Sequence, residues 1–147
     1  MSYISNLAHF IWSTAHRTPT IKPDWEPRLH AYIGGILNNV RGKLLTAGGI
    51  EDHIHVFASL PSNLSLADAA SAMKSNSSRF IHDELGDPSF DWQKGYAAFS
   101  VSVSVEDAVR NYILNQKQHH QRRPFQEEYI DFLNKHHIEY DPQYVFL

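Results

Sequence analysis

The order of predicted elements indicates an α+β fold, in which helices pack on an antiparallel sheet in the ferredoxin-like manner. Hydrophobic periodicity along the 147 residues predicts the order strand, helix, strand, strand, helix, strand, followed by two more helices. Two helices between four strands, with tight turns between neighbouring strands, are typical of such an antiparallel sandwich. We find no internal repeat, low-complexity segment or domain boundary, so residues 1–147 are predicted to form a single domain.

The first half of the chain is predicted to supply three strands and one helix. An apolar run over residues 7–14 is typical of a strand, and a proline-rich loop follows it. Pro27 suits the first turn of a helix, after which apolar residues recur at intervals of three and four. They are Leu29, Tyr32, Ile33, Ile36, Leu37 and Val40. Strands are predicted over residues 44–49 and 51–60, and Pro61 ends the second of them.

A second amphipathic helix is predicted after Pro61. Ser65 and Asp68 have the spacing of a capping box, and an apolar stripe follows them. The outer surface of this helix carries Lys74, Arg79 and several serines. Such a surface is either a solvated face or a phosphate-contacting one, and the sequence leaves both interpretations open.

The remaining elements are one strand and two helices. Apolar residues and serines alternate over residues 96–103, which predicts a strand with one buried face. Ser104 and Asp107 form a second capping-box pattern, so a helix is predicted from there to about His120. The Arg122-Arg123-Pro124 segment ends it, and a last short helix is marked by Phe125, Tyr129, Phe132 and Leu133.

The amino-acid composition of the chain excludes several kinds of active site and metal site. The chain has no cysteine, which excludes disulfides, thiolate metal sites and cysteine nucleophiles. A metal would therefore be held by histidine, carboxylate or amide oxygen, which favours Mg²⁺, Mn²⁺ or histidine-bound zinc. A net charge of −3 argues against non-specific coating of nucleic acid, although a local basic patch remains compatible with it. No apolar run is long enough to span a membrane, so a cytoplasmic location is expected.

The strand over residues 51–60 carries two histidines. Strand side chains alternate between faces, so His53 and His55 project from the same side. Imidazoles at that separation can bind adjacent positions on one metal ion. A lone His-x-His pattern is more often the polar face of a half-buried strand, so a second compatible element is needed.

That second element is the helix before His120. Tyr112 and Gln116 are four residues apart, so one helix would place them on the same face. Taken alone, Tyr112 would be a core aromatic and Gln116 a solvated residue. Together with a histidine pair, however, a phenol and an amide oxygen fit a metal-assisted tyrosine nucleophile, with the amide oxygen as a further metal ligand.

At these residues the chain resembles the HUH single-tyrosine transposases of small insertion sequences, including the REP-associated transposases. The resemblance is collinear over most of the chain. It rests on the patterns Gly49-x-x-Asp52-His53-Ile54-His55-Val56, Lys74-Ser75-x-Ser77-Ser78, Trp92-x-x-Gly95-Tyr96, Val109-x-x-Tyr112-Ile113-x-Asn115-Gln116-x-x-His119-His120 and Phe125-x-x-Glu128.

The resemblance implies a function and a set of site residues. It implies Tyr112 as the nucleophile, and His53, His55 and Gln116 as ligands of Mg²⁺ or Mn²⁺. It also implies a ferredoxin-like or RRM-like sheet, and cleavage and rejoining of single-stranded DNA, with a hairpin near the cleavage point, through a 5′-phosphotyrosine intermediate. Homodimers with shared active sites are implied too, in which the tyrosine helix of one subunit serves the histidine pair of the other.

Three other functions share parts of this pattern. A histidine-triad hydrolase needs a third alternating histidine, and position 57 is Phe. A phosphoesterase with two His-x-Ser/Thr motifs needs a hydroxyl two residues after His55, where Phe57 again stands. A non-catalytic, domesticated DNA-binding dimer that keeps the fold is the remaining alternative, and it would not need Tyr112.

Overall fold

A four-stranded antiparallel sheet forms the centre of the molecule. The structure is a computed structural model that describes residues 1–120 and 123–147. The strands are β1 (Leu7–Ser13), β2 (Lys43–Ile50), β3 (His53–Ser59) and β4 (Ala97–Val101), in the spatial order β2-β3-β1-β4. β3 is hydrogen-bonded on both sides, to β1 and to β2. The predicted ferredoxin-like α+β sheet is therefore confirmed.

Two long helices cover one face of this sheet. These are α1 (Glu26–Asn39) and α2 (Leu66–Asp83). The apolar side chains that strands and helices contribute to this core include Phe10, Trp12, Leu29, Ile33, Ile54, Val56 and Met73. The predicted cap of α2 is confirmed, because the Asp68 amide donates to the Ser65 hydroxyl.

The opposite face carries His53 and His55 and is covered by the helices of the second half. These are α3 (Glu106–Leu114), α4 (Gln116–His119) and α5 (Phe125–Lys135). The apolar side chains between α5 and the sheet are Ile11, Ala97, Phe99, Phe125, Tyr129 and Leu133.

A glycine allows α3 to lie directly on β2. Gly48 pairs with His55 across the two strands, so both residues face the same side of the sheet. A Cβ atom at Gly48 would lie 2.4 Å from the Ile113 carbonyl oxygen and 2.9 Å from its Cγ2 atom. Only a residue without a side chain permits this approach. The contact places α3, and with it Tyr112, over the histidine strand.

Several predicted boundaries differ from the structure, and the strand predicted over residues 51–60 spans only His53–Ser59. β4 ends at Val101, and residues 103–105 form a single 3₁₀ turn instead of continuing the strand. The predicted capping box at Ser104 is wrong, because α3 begins after Val105 with no side-chain cap, while the Ser102 hydroxyl accepts from the Ser104 amide. α1 begins at Glu26, one residue before Pro27.

The helix predicted to run to about His120 is interrupted. Asn115, with φ −97° and ψ 17°, separates α3 from α4. Tyr112 and Gln116 therefore lie on consecutive short helices rather than on one face of a single helix. Arg122, which the predicted helix break includes, lies outside the described residues. Pro124, the last residue of that break, is the N-cap residue of α5. Among the described residues, no helix is long and apolar enough to cross a membrane.

Candidate active site

The two histidines of β3 lie side by side and are completely buried. His53 and His55 both have 0% of their surface exposed, and their ring centroids are 5.1 Å apart. β3 is one of the two central strands of the sheet, so its backbone holds the two rings rigidly in place. The expected common orientation of the pair is present.

A hydrogen bond on the outer nitrogen orients each of these rings. The His53 Nδ1–H donates to Asp52 Oδ1 at 2.8 Å. His55 Nδ1 lies 2.8 Å from Nε2 of His9, a buried histidine on β1. Metal-binding histidines commonly have such a partner, which selects the tautomer and directs the other nitrogen toward the site. Both Nε2 atoms therefore face the same interior point.

Gln116 reaches this point from α4. Its side chain is buried, with 1% exposed, and its Oε1 atom lies 2.8 Å from His53 Nε2. Its Nε2 atom donates to Glu128 at 3.0 Å. The structure therefore brings Gln116 to the histidine pair, as the resemblance implied, although the residue begins a separate helix.

Tyr112 lies beside the pair on α3. Its ring centroid is 5.8 Å from that of His55. Its hydroxyl donates to Oε2 of Glu128 and lies 3.3 Å from His119 Nε2. The His119 side chain, 28% exposed, occupies the solvent side of the site. Tyr112, His53, His55 and Gln116 thus come together within one chain.

Glu128, which was not predicted as a site residue, is the centre of this cluster. Its carboxylate is 1% exposed, and Oε1 lies 3.0 Å from Nε2 of His55 and 3.5 Å from Nε2 of His53. Glu128 stands in one of the patterns of the resemblance, but it follows Glu127 in an amphipathic helix, where carboxylates are usually solvated, so nothing local in the sequence predicts this role. Only the position of α5 against the sheet shows that it is buried.

His120 is a second residue that sequence reasoning left out. A histidine pair just beyond a helix end is usually solvated, yet the His120 side chain is 2% exposed. Its Nδ1–H donates to the Arg123 carbonyl oxygen at 2.6 Å, and its Nε2 atom lies 3.0 Å from Glu128 Oε1.

The electrostatics of the cluster follow from burial and from Glu128. Burial alone would raise the pKa of Glu128, but contacts with His120 and His55 outweigh it and hold that pKa well below its usual range. Burial lowers the pKa of His55 to about 4. Burial and the neighbouring Glu128 charge raise the pKa of the Tyr112 hydroxyl. The phenol is therefore protonated here, and a cation nearby would be needed to favour its ionised form.

The donor set fits a divalent metal. One donor atom each from His53, His55, His120 and Glu128 lie within 4.8 Å of one another. Gln116 adds an amide oxygen next to His53. Neutral imidazoles and a carboxylate are ligands that Mn²⁺ and zinc accept readily, and Mg²⁺ takes the oxygens.

The two predicted DNA contacts lie elsewhere, on α2. Arg79 is exposed. The Lys74 ammonium donates to three backbone carbonyls, those of Gln93, Lys94 and Gly95, at 2.8–3.0 Å. Lys74 therefore holds the loop before β4, and its predicted contact with DNA stays a prediction.

Comparison with known protein families identifies the family of this chain. The pattern of the family described as "Transposase IS200 like" matches residues 2–116, which include the histidine pair, Tyr112 and Gln116. The chain belongs to this family. The match ends before His120 and Glu128. No curated protein is similar enough in sequence to be compared.

Solved structures with a similar fold include two proteins that are named as transposases. One is a protein assigned as a transposase from Deinococcus radiodurans R1, with a TM-score of 0.61 and 22% identity, covering 79% of this chain and 95% of that one. The other is a REP-associated tyrosine transposase bound to a REP hairpin, with a TM-score of 0.61 and 15% identity. It covers 82% of this chain and 72% of that one. At sequence identities this low, the similarity to these two structures shows a shared fold and nothing more.

Proposed function

We propose that this IS200-like transposase cleaves and rejoins single-stranded DNA through a covalent bond between Tyr112 and a 5′-phosphate. The observation that carries the proposal is the placement of Tyr112 against a buried histidine pair. The ring of Tyr112 lies 5.8 Å from that of His55, and its hydroxyl is held by Glu128. A core tyrosine would not need a carboxylate and an imidazole, those of Glu128 and His119, at its hydroxyl.

The reaction transfers a phosphodiester rather than hydrolysing it. The Tyr112 oxygen attacks phosphorus and loses its proton, and the 3′ oxygen of the preceding nucleotide leaves and gains one. The resulting phosphotyrosine keeps the energy of the original bond. A 3′-hydroxyl of another strand can then displace Tyr112, which restores the phenol and joins the DNA without an added energy source.

His53, His55 and Gln116 would hold the divalent metal, Mg²⁺ or Mn²⁺. When bound, the ion would offset charge on the phosphate and favour the ionised phenol. Asp52 and His9 keep the two imidazoles oriented, while Glu128 Oε2 accepts the Tyr112 hydrogen bond and sets the direction of its oxygen.

The substrate is proposed to be single-stranded DNA that contains a hairpin. The site is recessed, since His53 and His55 are completely buried, and a flexible single strand reaches such a site more readily than a duplex does. The hairpin-bound relative with the same fold supports this choice. Arg79, exposed on α2, is proposed to contact backbone phosphates.

The sharing of active sites between two subunits can be tested separately. Within one chain, Tyr112 already lies against the histidine pair, so a dimer would not be needed to complete the site. Mixing Tyr112→Phe with His53→Ala protein distinguishes the two arrangements. Shared sites predict that the mixture regains covalent-adduct formation, and sites built within one chain predict that it stays inactive.

The main experiment looks for the covalent adduct. The protein is incubated with a pool of hairpin-containing single-stranded oligonucleotides and Mn²⁺, then separated on a denaturing gel beside Tyr112→Phe and a chelator-treated sample. We expect an adduct that requires both Tyr112 and the metal. An adduct that persists in Tyr112→Phe would show that another residue is the nucleophile. Hairpin binding without any adduct would support the non-catalytic DNA-binding alternative.

A further inference from the structure

The resemblance includes His120 and Glu128 in its patterns but implies no site role for either of these two buried side chains. We propose that both are metal ligands, together with His53 and His55, and that this set selects a transition-metal dication such as Mn²⁺ over Mg²⁺. The inference rests on the proposed function only in taking the histidine pair as a metal site. It adds two ligands to the histidine pair, and the third imidazole strengthens the preference for a transition metal.

The spacing of the donor atoms supports a common ion. Glu128 Oε1 lies 3.0 Å from His55 Nε2, 3.0 Å from His120 Nε2 and 3.5 Å from His53 Nε2. Metal–ligand bonds of about 2.1 Å at octahedral or tetrahedral angles separate neighbouring donors by roughly 3.0–3.4 Å. Glu128 Oε1 therefore lies at or close to the separation of neighbouring ligands from each imidazole nitrogen, and all four donors lie within 4.8 Å of one another.

The orientation of the imidazoles supports the same conclusion. His53 and His120 use Nδ1–H to donate outward, to the Asp52 carboxylate and the Arg123 carbonyl. We assign the equivalent tautomer to His55, whose Nδ1 faces His9. In this tautomer each ring presents the lone pair of Nε2 to the Glu128 carboxylate. Lone pairs and a negative oxygen that converge in a buried space are stabilised by a cation between them.

Ligand chemistry decides the metal preference. Mg²⁺ prefers oxygen ligands and keeps several waters, which suits a nitrogen-rich, buried site poorly. Imidazole binds first-row transition metals more strongly, and a carboxylate is also a good ligand for Mn²⁺. A site with three imidazoles and one carboxylate should therefore bind Mn²⁺ in preference to Mg²⁺.

Glu128 would also connect the metal to the nucleophile. Its Oε1 atom faces the imidazoles, while Oε2 accepts the Tyr112 hydroxyl and the Gln116 amide. One rigid carboxylate would thus determine the position of the phenol oxygen relative to the ion.

The test measures metal binding directly, in the absence of DNA. Titration calorimetry with MnCl₂ and MgCl₂ is performed on the wild type, on Glu128→Gln and on His120→Asn. The matched controls are Glu127→Gln, an exposed neighbour, and His137→Asn, an exposed histidine whose positive φ asparagine tolerates. Electron spin-echo modulation from nitrogen nuclei coupled to bound Mn²⁺ then reports the imidazole ligands.

We expect Mn²⁺ to bind at least about tenfold more tightly than Mg²⁺, and each site variant to lose about tenfold or more in Mn²⁺ affinity. The controls should keep wild-type affinity, and the nitrogen modulation should weaken in His120→Asn. Circular dichroism confirms that each variant is folded.

The outcomes separate this inference from the proposed function. Unchanged Mn²⁺ affinity in both site variants, or equal affinity for Mg²⁺ and Mn²⁺, would overturn the inference even if Tyr112 adducts form. Binding that depends on Glu128 and His120, with no adduct under any metal, would support the metal site and contradict the transposase chemistry.

Discussion

The contact between Gly48 and α3 provides a sharp test of how the fold positions the nucleophile. In Gly48→Ala, the new Cβ would lie 2.4 Å from the Ile113 carbonyl oxygen, which is backbone and cannot rotate away. Relieving the clash requires α3 to move outward by about 1 Å, and overpacking of this kind typically costs about 1–3 kcal/mol. Tyr112 precedes Ile113 in the same helix, so it moves too.

Both stability and chemistry should respond to this substitution. A loss of about 1–3 kcal/mol corresponds to a fall in Tm of roughly 2–12 °C for a chain of this size. A nucleophile misplaced by about 1 Å can lose about 100-fold in rate. Differential scanning calorimetry measures the first effect, and the initial rate of adduct formation, well below the Tm, measures the second.

Gly35→Ala is the matched control. Gly35 lies inside α1, and an added Cβ there would meet no heavy atom within 4 Å. Alanine should therefore stabilise the helix by about 0.5–1 kcal/mol and leave the adduct rate unchanged. If Gly48→Ala keeps the Tm and adduct rate of Gly35→Ala, then α3 does not rest on Gly48 and the described position of Tyr112 is wrong.

Three further substitutions separate stability from site chemistry. Met73 lies in the core on the other face of the sheet. Met73→Ala should lower the free energy of unfolding, measured with urea, by about 2–5 kcal/mol and leave the adduct rate per folded molecule unchanged. A changed rate would show that the two faces of the sheet are coupled. Lys74→Met removes three hydrogen bonds to backbone carbonyls. The substitution should lower the free energy of unfolding by about 1–3 kcal/mol. A loss of hairpin affinity at unchanged stability would instead favour the predicted contact of Lys74 with DNA. Asp52→Ala removes the hydrogen-bond acceptor that orients the His53 ring. The substitution should weaken Mn²⁺ binding about 10–100-fold with little change in Tm. Unaltered affinity would show that the hydrogen bond to Asp52 does not position the His53 ring.

Sequence patterns predict most of this fold because each element carries its own local signal. The alternation of β3 and the helical spacing of α1 reflect burial against a single core, and the Ser65 cap reflects an unsatisfied helix end. The predictions that were wrong lie where two local signals compete. Ser104 has the spacing of a cap, but the preceding 3₁₀ turn moves the start of α3 to Glu106.

The residues of the candidate site likewise include some that the sequence predicts and some that only the structure shows. The sequence by itself determined that His53 and His55 share a strand face, because the two-residue period of a strand is independent of the rest of the chain. Only the tertiary structure decided that Glu128 and His120 are buried against that pair. Their burial results from α5 packing on Phe99 and Ile11, and from the interruption at Asn115 that redirects α4. Contacts between distant segments leave no periodic trace in the sequence, so a carboxylate surrounded by histidines cannot be told from a solvated one until the helices are packed.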